Sequence, residues 1–128
     1  MRAELKAMLQ QGGGAIVNMA SGSGLKGSPP MMSGYVSSKH GVVGLTRVAA
    51  IEYVKDGIRI NAVAPGTVAT PTMLGFPEEI LTQYASVIPM GRMAEPSEIA
   101  DAVAWLLSDQ ATFVTGIALP VDGGFLQK

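Results

Sequence analysis

Cysteine is absent from the 128 residues, which excludes disulfides and thiolate metal sites and accords with a reducing compartment, so a cytoplasmic location is expected. An excess of one charge sign is also missing: 9 Lys and Arg against 10 Asp and Glu leave a net charge of −1. The cations are scattered and form no stripe able to neutralise a run of phosphates, so nucleic acid is not an expected partner. No apolar run approaches the length of a membrane span, and no membrane association is expected. The opening Met1-Arg2-Ala3-Glu4-Leu5-Lys6 mixes both charge signs and lacks the apolar centre of a signal peptide. Internal repeats, low-complexity tracts and a dividing linker are missing too, so residues 1–128 read as one piece of one domain.

What is present is apolar material: 48% hydrophobic against 15% charged residues places the chain among compact globular proteins. The 8 Met residues are read as ordinary fillers of core gaps. Leu5, Met8 and Leu9 recur at helical spacing and are followed by Gly12-Gly13-Gly14, a helix stop. Ala15 to Ala20 is a short apolar run that suits a parallel strand buried on both faces. The loop from Ser21 to about Met32 is rich in Gly, Ser and Pro, and lies where open parallel sheets place their ligands.

From Ser33 to about Tyr53 a long helix is expected, with Val43, Val48 and Ile51 as its packing residues and Asp56-Gly57 as its end. Ile58 to Ala64 alternates, is β-branched, and is stopped by Pro65-Gly66, so it reads as the next strand. Residues 67–95 are interrupted by Pro71, Pro77 and Pro89 and hold a short helical stretch from Glu78 to Ser86, in the manner of a flap. Pro96 opens a further helix with Ile99, Val103 and Leu106 on one face, and Gly116 to Val121 supplies a last strand. Strands alternating with helices imply an α/β fold with a parallel sheet and right-handed crossovers.

Tyr35 and Lys39 stand four apart on the expected helix, so both side chains project from one face. A phenol is a poor proton carrier at neutral pH, and a neighbouring ammonium improves it by favouring the ionised form. Ser21, at the end of a strand, can aim its hydroxyl at the same substrate oxygen. Taken singly, such a Tyr–Lys pair also suits a solvated helix face, and such a serine also suits a turn. His40 follows Lys39 and points about 100° away, as a bystander would. Glu78, Glu79, Glu95 and Glu98 lie at helix starts, where the dipole favours negative charge, and no metal is expected there.

Four motifs occur in order: Asn18-Met19-Ala20-Ser21, Tyr35-Val36-Ser37-Ser38-Lys39, Asn61-Ala62-Val63-Ala64-Pro65-Gly66, and Val121-Asp122-Gly123-Gly124. Together they resemble the short-chain dehydrogenase/reductase family across nearly the whole chain. The resemblance implies an oxidoreductase that uses NAD or NADP to interconvert a secondary alcohol and a ketone, with a small-molecule alcohol or carbonyl as substrate. It implies that Ser21 polarises the substrate oxygen, that Tyr35 transfers the proton, and that Lys39 assists Tyr35 and binds the nicotinamide ribose. It assigns cofactor binding to the loop with Pro65, Gly66, the backbone of Val68 and the hydroxyl of Thr70. Met73, with Leu74 and Phe76, is marked as a substrate-pocket residue. The four-residue spacing from Tyr35 to Lys39 favours the alcohol/carbonyl branch over the enoyl reductase branch, whose spacing is longer.

The same resemblance implies a partial Rossmann-type doubly wound parallel sheet, comprising the family's last three strands with their helices. The amino-terminal cofactor half is missing, including the glycine-rich turn that receives the pyrophosphate. Homo-oligomers through the long helices and through Val114 to Phe125 are expected of the longer form. An alternative is a noncatalytic fragment that is stable only against a complementing polypeptide.

Overall fold

A computed structural model describes residues 1–27 and 30–127, so positions 28 and 29 of the glycine- and proline-rich loop lie outside the described residues. The chain alternates helix and strand: α1 (Arg2–Gln11), β1 (Gly14–Met19), α2 (Ser33–Tyr53), β2 (Ile58–Pro65), α3 (Pro71–Leu74), α4 (Glu78–Ser86), α5 (Pro96–Leu107) and β3 (Ala118–Val121). The three strands are parallel in the order β1-β2-β3, with Gly14 opposite Ile58 and Ala62 opposite Ala118. A parallel sheet needs crossovers, which α2 and the α3–α5 segment provide.

The two-residue period of β2 divides the core between the crossovers. Ala62 and Ala64 cluster with Val43 of α2, and Ile58 and Ile60 cluster with Ala49 and Ala50 of the same helix. Val63, with the opposite parity, clusters with Ile99 and Leu106 of α5. Both faces of β2 are therefore covered, and Ile58, Ile60, Ala62, Val63 and Ala64 are each 0% exposed. This is the doubly wound arrangement expected from strands that are apolar on both faces.

The packing face of α2 differs from expectation. Val43 is buried, but Val48 and Ile51 are 56% and 78% exposed, and the buried positions are Val43, Thr46, Ala49 and Ala50. The spacing 43, 46 and 50 marks one helical stripe, and its small members bring the helix axis close to the sheet; the larger Val48 and Ile51 fall on the outer side. The last strand begins at Ala118 and not Gly116, because Gly116 adopts φ 80°, which a strand cannot continue. Its N–H instead donates to Ile60 O at 2.8 Å.

Two side chains of β2 tie the third strand and α5 to the sheet. Arg59 donates to Leu106 O at 2.8 Å and Ser108 O at 3.0 Å, which satisfies carbonyls at the end of α5 that lack intrahelical partners. Asn61 is 0% exposed, donates from Nδ2 to Val114 O at 2.9 Å, and accepts from Ile117 N at 3.2 Å through Oδ1. Among the described residues, no helix is long and apolar enough to cross a membrane.

At the start of α5, Glu98 accepts from the Glu95 backbone N–H at 2.8 Å and from both terminal nitrogens of Arg92 at 2.7 and 2.8 Å. The Arg92 guanidinium, helped by that backbone donor, holds the Glu98 carboxyl down from 4.5 to about 2. A depressed carboxylate contributes stability above its unfolded value and loses it as pH falls through the folded one. Glu98→Gln is therefore expected to flatten the acid limb of a stability–pH curve between about 4.5 and about 2 and to lower neutral-pH stability by the same amount, which is small because the pair is exposed. Denaturant midpoints measured across that interval check it.

Candidate active site

The carboxyl ends of β1 and β2 open onto one cavity of about 360 Å³. Its lining contains all of Ser21, Tyr35, Lys39, Pro65, Gly66, Val68, Thr70 and Met73, the site residues expected from the sequence. They come from three separate stretches of chain and meet because β1 and β2 are neighbours with α2 crossing between them.

Ser21 leaves β1 in extended conformation (φ −168°, ψ 158°) and caps a short 3-10 turn, Gly22–Gly24. Its Oγ accepts from Ser23 N at 3.2 Å, which leaves the hydroxyl proton for another acceptor. Tyr35 lies in the first turn of α2, is 43% exposed and lines the cavity. Lys39, one turn later, places Nζ 5.6 Å from the Tyr35 ring centroid. The same Nζ donates to Met19 O at 3.0 Å, so the end of β1 holds the ammonium beside the ring. Among the described residues that line the cavity, Lys39 is the one that carries a charge.

The second wall is the loop after β2. Gly66 donates its N–H to Val121 O at 3.0 Å, and a β-carbon there would stand 2.9 Å from Asp122 Cα, so the close approach requires glycine. Val68 forms a parallel bridge with Ala94 in which Ala69 N donates to Ala94 O and Ala94 N to Thr67 O. That pattern turns the peptide groups flanking Val68 toward Ala94 and its own N–H the other way, and among the described residues the Val68 N–H makes no hydrogen bond. Thr70 caps α3 by accepting from Met73 N at 3.3 Å, which again leaves a hydroxyl proton unspent. A free backbone donor, a free hydroxyl and an ammonium around one cavity fit a ligand that presents an amide and a sugar hydroxyl, as the nicotinamide riboside end of NAD and NADP does.

Some expectations need correction. Leu74 is 54% exposed and does not line the cavity, whereas Phe76 does. The single turn of α3 rotates position 74 away, which spacing in a proline-broken loop does not reveal. Thr67 and Thr72 also line the cavity, and the cluster of three threonines at 67, 70 and 72 is the sequence signal for them. The Met19 carbonyl leaves no trace in side-chain identity. His40 lies outside the cavity, with Nδ1 3.0 Å from Val36 O of its own helix. Glu78 and Glu79 occupy the first turn of α4, and among the described residues no cluster of His, Asp or Glu is arranged to hold a metal.

A family model described as enoyl-(acyl carrier protein) reductase matches residues 1–126. The cyclohexanol dehydrogenase of Acinetobacter sp. (strain SE19) is 50% identical over 128 residues, covering 100% of this chain and 49% of that protein. The 2,5-dichloro-2,5-cyclohexadiene-1,4-diol dehydrogenase of Sphingobium indicum (strain UT26S) is 50% identical over 129 residues, covering 98% of this chain and 51% of that protein. Among solved structures, ElxO with NADP bound superimposes with a TM-score of 0.92 at 38% identity, over 100% of this chain and 52% of its own. The chain thus spans about half the length of the relatives it matches. It belongs to the short-chain dehydrogenase/reductase family, and its three parallel strands correspond to the carboxyl-terminal half of that family's Rossmann-type sheet.

Proposed function

We propose that residues 1–128 form the carboxyl-terminal part of one oxidoreductase domain, which uses NAD or NADP to interconvert a secondary alcohol and a ketone. The observation that carries this reading is the meeting of Ser21, Tyr35 and Lys39 with the Pro65–Thr70 loop around one cavity. When bound there, the nicotinamide supplies or accepts the hydride. Ser21 Oγ donates to the substrate oxygen and orients it. Tyr35 Oη exchanges a proton with that oxygen, taking it when the alcohol is oxidised and returning it when the ketone is reduced. Lys39 Nζ lies beside the ring, where it would stabilise negative charge on the phenolic oxygen, and it would also hold a ribose hydroxyl of the cofactor. Val68 N–H and the Thr70 hydroxyl would hold the carboxamide and so orient the nicotinamide, while Met73 would pack against the substrate. These residues meet only the end of the cofactor that NAD and NADP share, so the reading covers both.

Tyr35 and Lys39 on successive turns, and relatives that act on cyclohexanol and on a cyclohexadienediol, favour the alcohol/carbonyl reaction over enoyl reduction. The exposed apolar residues Leu45, Val48 and Ile51 on α2, and Phe113 and Ile117 before β3, fit contact with a second copy. A cytoplasmic location accords with the lack of cysteine. The assay is direct: the full-length protein that carries this chain is expected to reduce NAD or NADP with cyclohexanol and to oxidise the reduced cofactor with cyclohexanone. Failure with both cofactors, over a panel of secondary alcohols and ketones, contradicts the reading.

A further inference from the structure

Gly24 closes the turn that follows Ser21 and lies against the backbone of Lys39. A β-carbon built on Gly24 would stand 2.7 Å from Lys39 O, 2.9 Å from its carbonyl carbon and 3.2 Å from its Cβ. To reach ordinary contact at 3.4 Å, about 0.7 Å would have to open, and the obstacle is helix backbone and not the loose end of a side chain. Gly24 is not among the glycines with positive φ, so the position asks for space and not for an unusual conformation. Its neighbours differ: a β-carbon on Gly22 would meet Pro65 O at an ordinary 3.6 Å, and one on Gly27 would meet nothing within 4 Å.

The turn transmits any movement of Gly24 to Ser21. Gly24 N donates to Ser21 O at 2.8 Å, Leu25 N to Gly22 O at 3.0 Å, and Ser23 N to Ser21 Oγ at 3.2 Å. On the other side, Lys39 belongs to the interior of α2 and is tied through Nζ to Met19 O, two residues before Ser21. Strand end, turn and helix thus meet at a contact that only a bare Cα permits.

We propose that Gly24 is a positioning residue that sets the separation between the Ser21 hydroxyl and the Tyr35–Lys39 pair, so that both hydroxyls reach one substrate oxygen. The proposal rests on the function inferred above. Gly24→Ala pushes the turn from α2 and moves Ser21 with it, while Val68, Thr70 and the Lys39 side chain, held by other contacts, keep the cofactor end of the cavity.

In the full-length protein, Gly24→Ala is expected to lower kcat by about 10- to 100-fold for cyclohexanol, with the cofactor KM within about two-fold of the parent and the thermal midpoint nearly unchanged. Gly27→Ala, in the same loop, leaves kcat unchanged. A Gly24→Ala kcat within about two-fold of the parent overturns the proposal. So does a joint fall of kcat, cofactor binding and thermal midpoint, which marks a merely structural glycine. If the parent protein shows no turnover, the functional reading fails separately, and nuclear magnetic resonance of the isotope-labelled 128-residue chain decides the spacing claim. Displaced amide resonances at Ser21 and Ser23 in Gly24→Ala but not in Gly27→Ala uphold it, and unmoved ones overturn it.

Discussion

Tyr35→Phe in the full-length protein is expected to lower turnover about 1,000-fold while the cofactor KM changes by no more than about three-fold. The substitution removes one oxygen and keeps the ring that packs beside Lys39 Nζ. Lys39 retains its bond to Met19 O, and the Val68 and Thr70 groups lie on a different element, so the cofactor end of the cavity is preserved. What disappears is the proposed proton carrier, and loss of a positioned acid–base group costs about 100- to 10,000-fold. Steady-state kinetics with cyclohexanol, alongside a direct titration of cofactor, separates the two effects. Equal losses in turnover and cofactor affinity would mean that Tyr35 shapes the site and does not carry the proton.

The largest effect on stability is expected at a residue that touches nothing in the cavity. Asn61→Ala leaves Ile117 N without its partner and Val114 O with only the longer 3.4 Å approach of Arg59 Nη1, beside a position that is itself 0% exposed. An unpaired buried polar group costs about 1–3 kcal/mol, and the vacated volume adds to it, so a loss of about 2–4 kcal/mol follows. β3 should loosen first, because these bonds hold the segment leading into it against β2. Denaturant unfolding gives the stability, and a loss below about 0.5 kcal/mol would show that the Asn61 bonds are replaceable. Activity per folded molecule should persist, which distinguishes this loss from that of Tyr35→Phe.

The parts of the fold legible from sequence are those written in a period. β2 reads as a strand because Ile58 to Ala64 alternates and is β-branched, and α5 reads as a helix because Ile99, Val103 and Leu106 fall on one side. The face of α2 departs from its sequence pattern because large apolar side chains mark a core only where there is room for them. Here Thr46, Ala49 and Ala50 lie against the sheet, and Val48 and Ile51 are left outside. The candidate site residues that meet at one cavity were marked by the resemblance of four motifs in order, since the four-residue interval of Tyr35 and Lys39 and a serine at a strand end also suit a solvated helix face and a turn. What positions them was not, since the Met19 carbonyl and the missing side chain of Gly24 act through backbone that any sequence shares.

The sheet also bears on how the chain is held. Among the described residues β1 pairs on one side only, with β2, and its other edge has no strand beside it. An open parallel edge is a template for another strand, and relatives of twice the length have chain to supply one. A noncatalytic role for the chain by itself, completed by a complementing polypeptide, would use this same edge, so the two readings differ in activity and not in architecture.

The central claim is that this chain holds the nicotinamide end of the cofactor beside Tyr35, and the labelled 128-residue chain tests it without the rest of the domain. Titrated with reduced nicotinamide mononucleotide and, separately, with adenosine monophosphate, it is expected to show saturable shifts of the Val68 and Thr70 amides and of Lys39 with the first ligand and none there with the second. Resonances of Val68, Thr70 and Lys39 that ignore the mononucleotide, or that answer both ligands alike, would contradict the account.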